Sequence, residues 1–77
     1  MAIRVLCFGP LAEQVGWREN TLMWKSEMTG RIILEMIGAT EWLAAGISVA
    51  VSGQMVDIDS IIPDNCEVAL LPPVSGG

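Results

Sequence analysis

One stretch of this chain, Arg31–Ile37, repeats its apolar residues with a helical period, and short β-type runs flank it on both sides. A chain with one main helix and several strands must lay that helix across a single sheet to bury either. Ile33, Leu34 and Ile37 fall on one side of the helix at i, i+1, i+4 spacing, which marks the face it buries. Ser26 and Thr29 both suit its N-terminal cap, and Gly38 suits its end. With 77 residues the chain has room for one core and one domain.

The strands are read from where their single charges fall. In Ala2–Phe8, Arg4 pointing to water turns Leu6 and Phe8 the same way and sends Ile3, Val5 and Cys7 into the core. Gly9-Pro10 breaks the run and opens a short helix through Val15, closed at Gly16. A second strand, Arg18–Trp24, places Glu19, Thr21 and Met23 on one face and Leu22 and Trp24 on the other. Ile47–Val51 is a third strand, Ser52-Gly53 a turn, and Gln54–Ile58 a fourth strand with Val56 and Ile58 inward and Met55, Asp57 and Asp59 outward. Pro63-Asp64-Asn65 is turn chemistry. In the fifth strand, Cys66–Leu71, an outward Glu67 takes Ala69 and Leu71 with it and leaves Cys66, Val68 and Leu70 inside. Pro72-Pro73 ends that strand, because neither residue can donate to a ladder. Residues 39–46, with Trp42 and Leu43, have no clean period and fit a loop or a continued helix equally well. Among the tryptophans, Trp17 beside a glycine is expected to be exposed, with one or two of the others in the core.

The order β, β, α, β, β, β, with one main helix on a mixed five-stranded sheet, is that of the α+β β-grasp, or ubiquitin-like, fold. Residues 1–71 are then a single β-grasp domain and 72–77 an extended C-terminal Gly-Gly tail.

Composition removes most routes to catalysis. Histidine and tyrosine are absent, so no Ser/His/Asp triad, imidazole metal site or His or Tyr acid/base chemistry is available. The net charge of −5 repels phosphate backbones, which argues against nucleic acid as a partner. The acidic surplus solvates a small apolar protein and also suits basic clefts on protein partners. Cys7 and Cys66 lie far apart without metal-ligand spacing and read as two buried structural thiols; no metal and no bound cofactor is expected. No apolar run approaches the ~18 residues of a membrane span, and the opening residues lack signal-peptide character, so a cytoplasmic protein with no membrane partner is expected.

What remains is the carboxylate of Gly77. After Pro72-Pro73 the chain runs Val74-Ser75-Gly76-Gly77, an arm whose last residues lack Cβ and pass where side chains cannot. From Leu71 to Gly77 it reaches up to roughly 20 Å, enough to enter another protein's active site. Such an arm suits activation in trans, in which a partner adenylates the carboxylate and a sulfur or nitrogen nucleophile then takes the acyl group. By itself a glycine pair is equally what a frayed terminus offers.

Two longer runs carry a more specific signal. The closing EVALLPPVSGG, Glu67 to Gly77, resembles the end of the molybdopterin synthase small subunit, the sulfur carrier of molybdenum cofactor biosynthesis, whose members commonly finish in Pro-Pro-Val-Ser/Thr-Gly-Gly. The opening IRVLCFGPLAEQVG, Ile3 to Gly16, resembles that family's first strand and helix. The departures lie in turns, at Ser52-Gly53 and at Asp64-Asn65-Cys66. The resemblance implies a non-catalytic subunit of a sulfurtransferase complex. An ATP-dependent activating enzyme would adenylate Gly77, and a sulfur donor acting through that enzyme would leave a thiocarboxylate. The tail would then enter the large subunit of molybdopterin synthase and pass its sulfur to the cyclic pyranopterin precursor. The family assembles as a heterotetramer of two small and two large subunits, the large ones supplying the catalytic residues. The alternatives are a related carrier for thiamine or tRNA thiolation, a ubiquitin-like modifier joined to lysines, and an interaction module with an inert tail.

Strand parity supports docking independently of the resemblance. Leu6, Phe8, Met55, Ala69 and Leu71 are expected on the outward face with Arg4, Asp57 and Glu67, an apolar patch at the root of the tail unless residues 39–46 cover part of it. Phe8, Met55, Leu71, Pro72, Pro73, Val74 and Ser75 are accordingly the candidate partner-binding residues, and Gly76 and Gly77 carry the chemistry.

Overall fold

The computed structural model of the chain describes residues 1–73. Eight elements follow in order: β1 (Ala2–Cys7), α1 (Gly9–Val15), β2 (Glu19–Met23), α2 (Gly30–Ile37), α3 (Glu41–Ala45), β3 (Ser48–Val51), β4 (Gln54–Val56) and β5 (Glu67–Leu71). The strands form one sheet in the order β2-β1-β5-β3-β4, with β1 and β5 parallel at its centre and the remaining pairs antiparallel. This is the β-grasp topology, in which the first and last strands meet in the middle and the main helix crosses one face.

Local chemistry sets the helix ends. Thr29, not Ser26, caps α2: its Oγ1 accepts from the Ile32 amide at 3.2 Å, satisfying one of the donors a helix start leaves free. Gly16, Gly38 and Gly46 close the three helices in the left-handed conformation that β-carbons disfavour. The core lies between α2 and the inner sheet face, where Ile3, Val5, Cys7, Ile33, Leu34, Val49, Val68 and Leu70 are all buried, joined by Leu11 of α1 and by Met28 and Ile62 from the connections.

Four expectations need correction. Residues 39–46 are neither loop nor continued helix: Gly38 ends α2, and the short α3 follows, placing Trp42 and Leu43 against the core. The fourth strand stops at Val56 instead of Ile58, because the Asp57 carbonyl accepts from the Ser60 amide and its carboxylate from the Asp59 amide, turning the chain. Ile58 still packs on the core. Trp17 is half-buried against the core instead of exposed, while Trp24 and Trp42 pack on the core as expected, each half-buried. Cys7 is buried as read, whereas Cys66 is half-buried at the entry to β5.

Candidate functional site at the root of the C-terminal tail

β5 occupies a central position, so the chain leaves the sheet from its middle and not from an edge. Register places the exit. Leu70 lies beside Cys7 on β1 and Leu71 beside Ser48 on β3, so Pro72 emerges between the Phe8-Gly9 corner and the start of β3. Pro72 is half-buried and Pro73 exposed. The expectations for Val74, Ser75, Gly76 and Gly77 lie outside the described residues.

The outward face is graded along the strands. Leu6 pairs with Ala69, Ala69 with Ala50 and Ala50 with Met55, which forms an apolar row across four strands. One step toward the tail lie Leu71 and Phe8. Phe8 and Met55 are exposed, at 44% and 62%, Leu6, Ala69 and Leu71 are half-buried, and Ala50 is buried. α3 leaves this face uncovered, since its large residues pack on the core side of the sheet.

One step away from the tail the face turns polar. Arg4 pairs with Glu67 and with Thr21; its Nη2 donates to Glu67 Oε2 at 2.7 Å, and its Nε lies 3.5 Å from Glu19 Oε2. The Glu67 hydrogen bond, aided by the Glu19 charge, pushes the Arg4 pKa above its already high ordinary value. Exposed pairs of this kind add little stability. Their consequence is geometric: a charged border separates the apolar row from the Ala2 and Met23 end of the same face. Asp57, expected with this face, is exposed in the turn after β4.

Parity from Arg4 and Glu67 thus brings Leu6, Phe8, Ala69 and Leu71 together as expected, whereas Asp57, expected to orient β4, lies outside that strand, and Met55 joins the face through its pairing with Ala50. Ala50 was missed, since β3 carries no charge to orient it. The signal was present in the two-residue turn Ser52-Gly53, which sets Ala50 opposite Met55 and hence on the same face. Beside the tail root, a concavity of about 320 Å³ is lined by Leu6, Cys7, Phe8, Gly9, Arg18 and Glu19.

The thiols are poorly suited to carry a transferable sulfur. Burial pushes the Cys7 thiol up to about 11. Cys66 Sγ donates to the Pro63 carbonyl at 3.0 Å, and burial together with the Asp64 charge raises its pKa. Neither is a thiolate near neutral pH, the form a sulfur nucleophile requires. Among the described residues no group of three or more His, Cys, Asp or Glu side chains gathers to hold a metal ion, and no helix is long and apolar enough to cross a membrane.

The model of the ThiS family matches residues 5–77. No curated protein sequence matches the chain significantly. Among solved structures, the complex of subunits 1 and 2 of the molybdopterin-converting factor from Helicobacter pylori matches at 28% identity and a TM-score of 0.67, covering 100% of this chain and 100% of the other. A putative molybdopterin converting factor subunit 1 from Pyrococcus furiosus matches at 22% identity and a TM-score of 0.75, over 96% of this chain and 99% of that one. Small archaeal modifier protein 1 from Haloferax volcanii matches at 24% identity and a TM-score of 0.75, over 95% and 98%. The last two likenesses are of fold.

Proposed function

The chain belongs to the ThiS family of ubiquitin-like sulfur carriers, and we propose that this member serves molybdopterin synthase, donating sulfur from Gly77 to the cyclic pyranopterin precursor. The observation that supports the docking half of this reading is the apolar row beside the tail root, with Met55 exposed on it and Phe8 exposed one step nearer the tail. The pathway is supported by the Pro-Pro-Val-Ser-Gly-Gly ending and by the likeness, over the whole chain, to a protein solved with subunit 2 of the molybdopterin-converting factor.

The chemistry is supplied by partners. In an ATP-dependent activating enzyme a carboxylate oxygen of Gly77 attacks the α-phosphorus of ATP, and pyrophosphate leaves. Sulfide-level sulfur from a donor acting through that enzyme attacks the acyl carbon, and AMP leaves, so one carboxyl oxygen is exchanged for sulfur. The thiocarboxylate then enters the large subunit, docked by Phe8, Met55, Leu71, Pro72 and Pro73. Ordering Val74, Ser75, Gly76 and Gly77 there costs about 1 to 2 kcal/mol per residue, which the apolar contact must offset before affinity appears. This chain's own part is to present the tail and to bind.

The test is intact mass after incubation with ATP, an activating enzyme and a sulfur donor, followed by addition of the large subunit and the pyranopterin precursor. A gain equal to one oxygen-to-sulfur exchange, lost again as molybdopterin forms, supports the reading. Sulfur loading without transfer to the precursor, but with transfer in a thiamine or tRNA thiolation system, would move the protein to another pathway.

A further inference from the structure

An activated C-terminal carbonyl is an electrophile on a chain that carries nucleophiles of its own. The sequence holds one lysine, Lys25, two cysteines and no histidine. Given the activated tail proposed above, on which this inference rests, we infer that the fold places every strong nucleophile of the described chain out of the tail's reach, so that self-conjugation proceeds only between copies, onto the opposite end of the sheet.

Register supplies the distances. Leu70 is level with Cys7, and Met23, on the antiparallel β2, is level with Ala2. The Trp24 amide donates to the Met1 carbonyl, so Lys25 follows beyond the Met1 end of β1. Leu71 and Pro72 each precede a proline and are therefore extended, which carries Pro73 about two residues further from Lys25. At ~3.3 Å per residue, roughly ten residue levels, or about 33 Å, then separate Pro73 from Lys25. Val74 to Gly77 span about 14 Å when extended, and a lysine side chain adds about 6 Å, so the two fall short by more than 10 Å. The Met1 amine lies at the same far end.

The thiols are excluded differently. Cys66 immediately precedes β5, about seven residue levels or some 23 Å from Pro73, beyond the same 14 Å. Cys7 is near the exit, but its side chain faces the core and is 1% exposed. The residues around the exit, Leu6, Phe8, Ser48, Ala69 and Leu71, offer no amine or thiol, and Ser48 has no histidine anywhere in the chain to activate it.

The experiment uses the full chain prepared as a C-terminal alkyl thioester at Gly77, which needs no activating enzyme, so failure of enzymatic activation and failure of this inference are read separately. Attack by an amine forms the C–N bond and breaks the C–S bond, with the thiol leaving and the amine proton going to solvent. At low micromolar concentration the wild-type thioester should only hydrolyse, giving the acid. In Ser48→Lys, and in Phe8→Lys should Ser48→Lys fail to fold, an amine beside the exit should give a cyclic amide one water lighter than the acid, at a rate independent of concentration and at least tenfold above any in wild type. At millimolar concentration wild type should form head-to-tail dimers, with peptide mapping placing the links at Lys25 or the Met1 amine. Cyclisation of dilute wild-type protein at a rate comparable to the variants would overturn the inference, as would folded variants that do not cyclise.

Discussion

A β-carbon on Gly30 would stand 2.8 Å from Cγ2 of Val49, closer than packed side chains come. Gly30 opens α2, and Val49 lies in β3, so this approach sets how tightly the main helix sits on the sheet. Its missing side chain is a matter of space and not of dihedral freedom. Ile58 Cδ1, at 3.2 Å from the same position, closes the other side.

Gly30→Ala should therefore destabilise the fold by about 1 to 3 kcal/mol through overpacking, against the roughly 1 kcal/mol that alanine would gain at an open helix position. In a Val49→Ala background the same change should cost clearly less. Urea denaturation of the four proteins in the cycle measures the coupling, and additive costs would show that the contact does not govern the spacing.

Sulfur loading should follow the C-terminus and ignore the thiols. A Cys7→Ser, Cys66→Ser protein that folds should still gain the mass of one oxygen-to-sulfur exchange, whereas deletion of Gly77 should abolish the gain and leave cooperative unfolding unchanged within about 0.5 kcal/mol. Loss of the gain in the cysteine variant would place the carried sulfur on a thiol.

Docking should depend on the tail end of the outward face and not on its far end. Phe8→Asp and Leu71→Asp should weaken large-subunit binding at least tenfold, since a charge is placed in a contact that must lose its water. Met23→Asp is the control: Met23 is 71% exposed and opposite Ala2, beyond the Arg4–Glu67 border. Titration calorimetry on folded variants decides, and equal losses at Met23 and Phe8 would dissolve the proposed boundary.

Alkaline pH should expose the cost of the buried thiol. The Cys7 pKa rises from 9.0 to about 11 on folding, so between these values the unfolded chain has released a proton that the native chain keeps. Stability from this group is fully present below about pH 9 and is lost as pH rises through 11, by up to about 2 to 3 kcal/mol. With no tyrosine in the chain, the clean comparison is Cys66→Ala against Cys66→Ala, Cys7→Ala, the latter having the shallower decline in stability over this window. Parallel declines would mean that the thiol is not protected as its burial requires.

Local rules in the sequence settled the succession of elements along the chain, the parity of β1 and β5, the position of α2 and the end of the last strand at Pro72-Pro73. A lone Arg4 or Glu67 in an apolar strand turns one way, and Pro72-Pro73 cannot extend a ladder. Tertiary structure decided what depends on neighbours distant in the chain. Trp17 looked free beside Gly16 but is half-buried against the core, and the 39–46 stretch became a separate helix because Gly38 ends α2 and Trp42 and Leu43 have core surface to cover. Ala50 faces Met55 through the local Ser52-Gly53 turn, but its place beside Ala69, which joins it to β5 and β1, came only from the assembled sheet. The central place of β5 between β1 and β3 was likewise a tertiary matter, and it sets the tail root beside Phe8 and Leu71 and far from Lys25. Register between strands is a sum of many cross-strand contacts and carries no single-residue mark in the sequence, which is why the site's composition was legible and its layout was not.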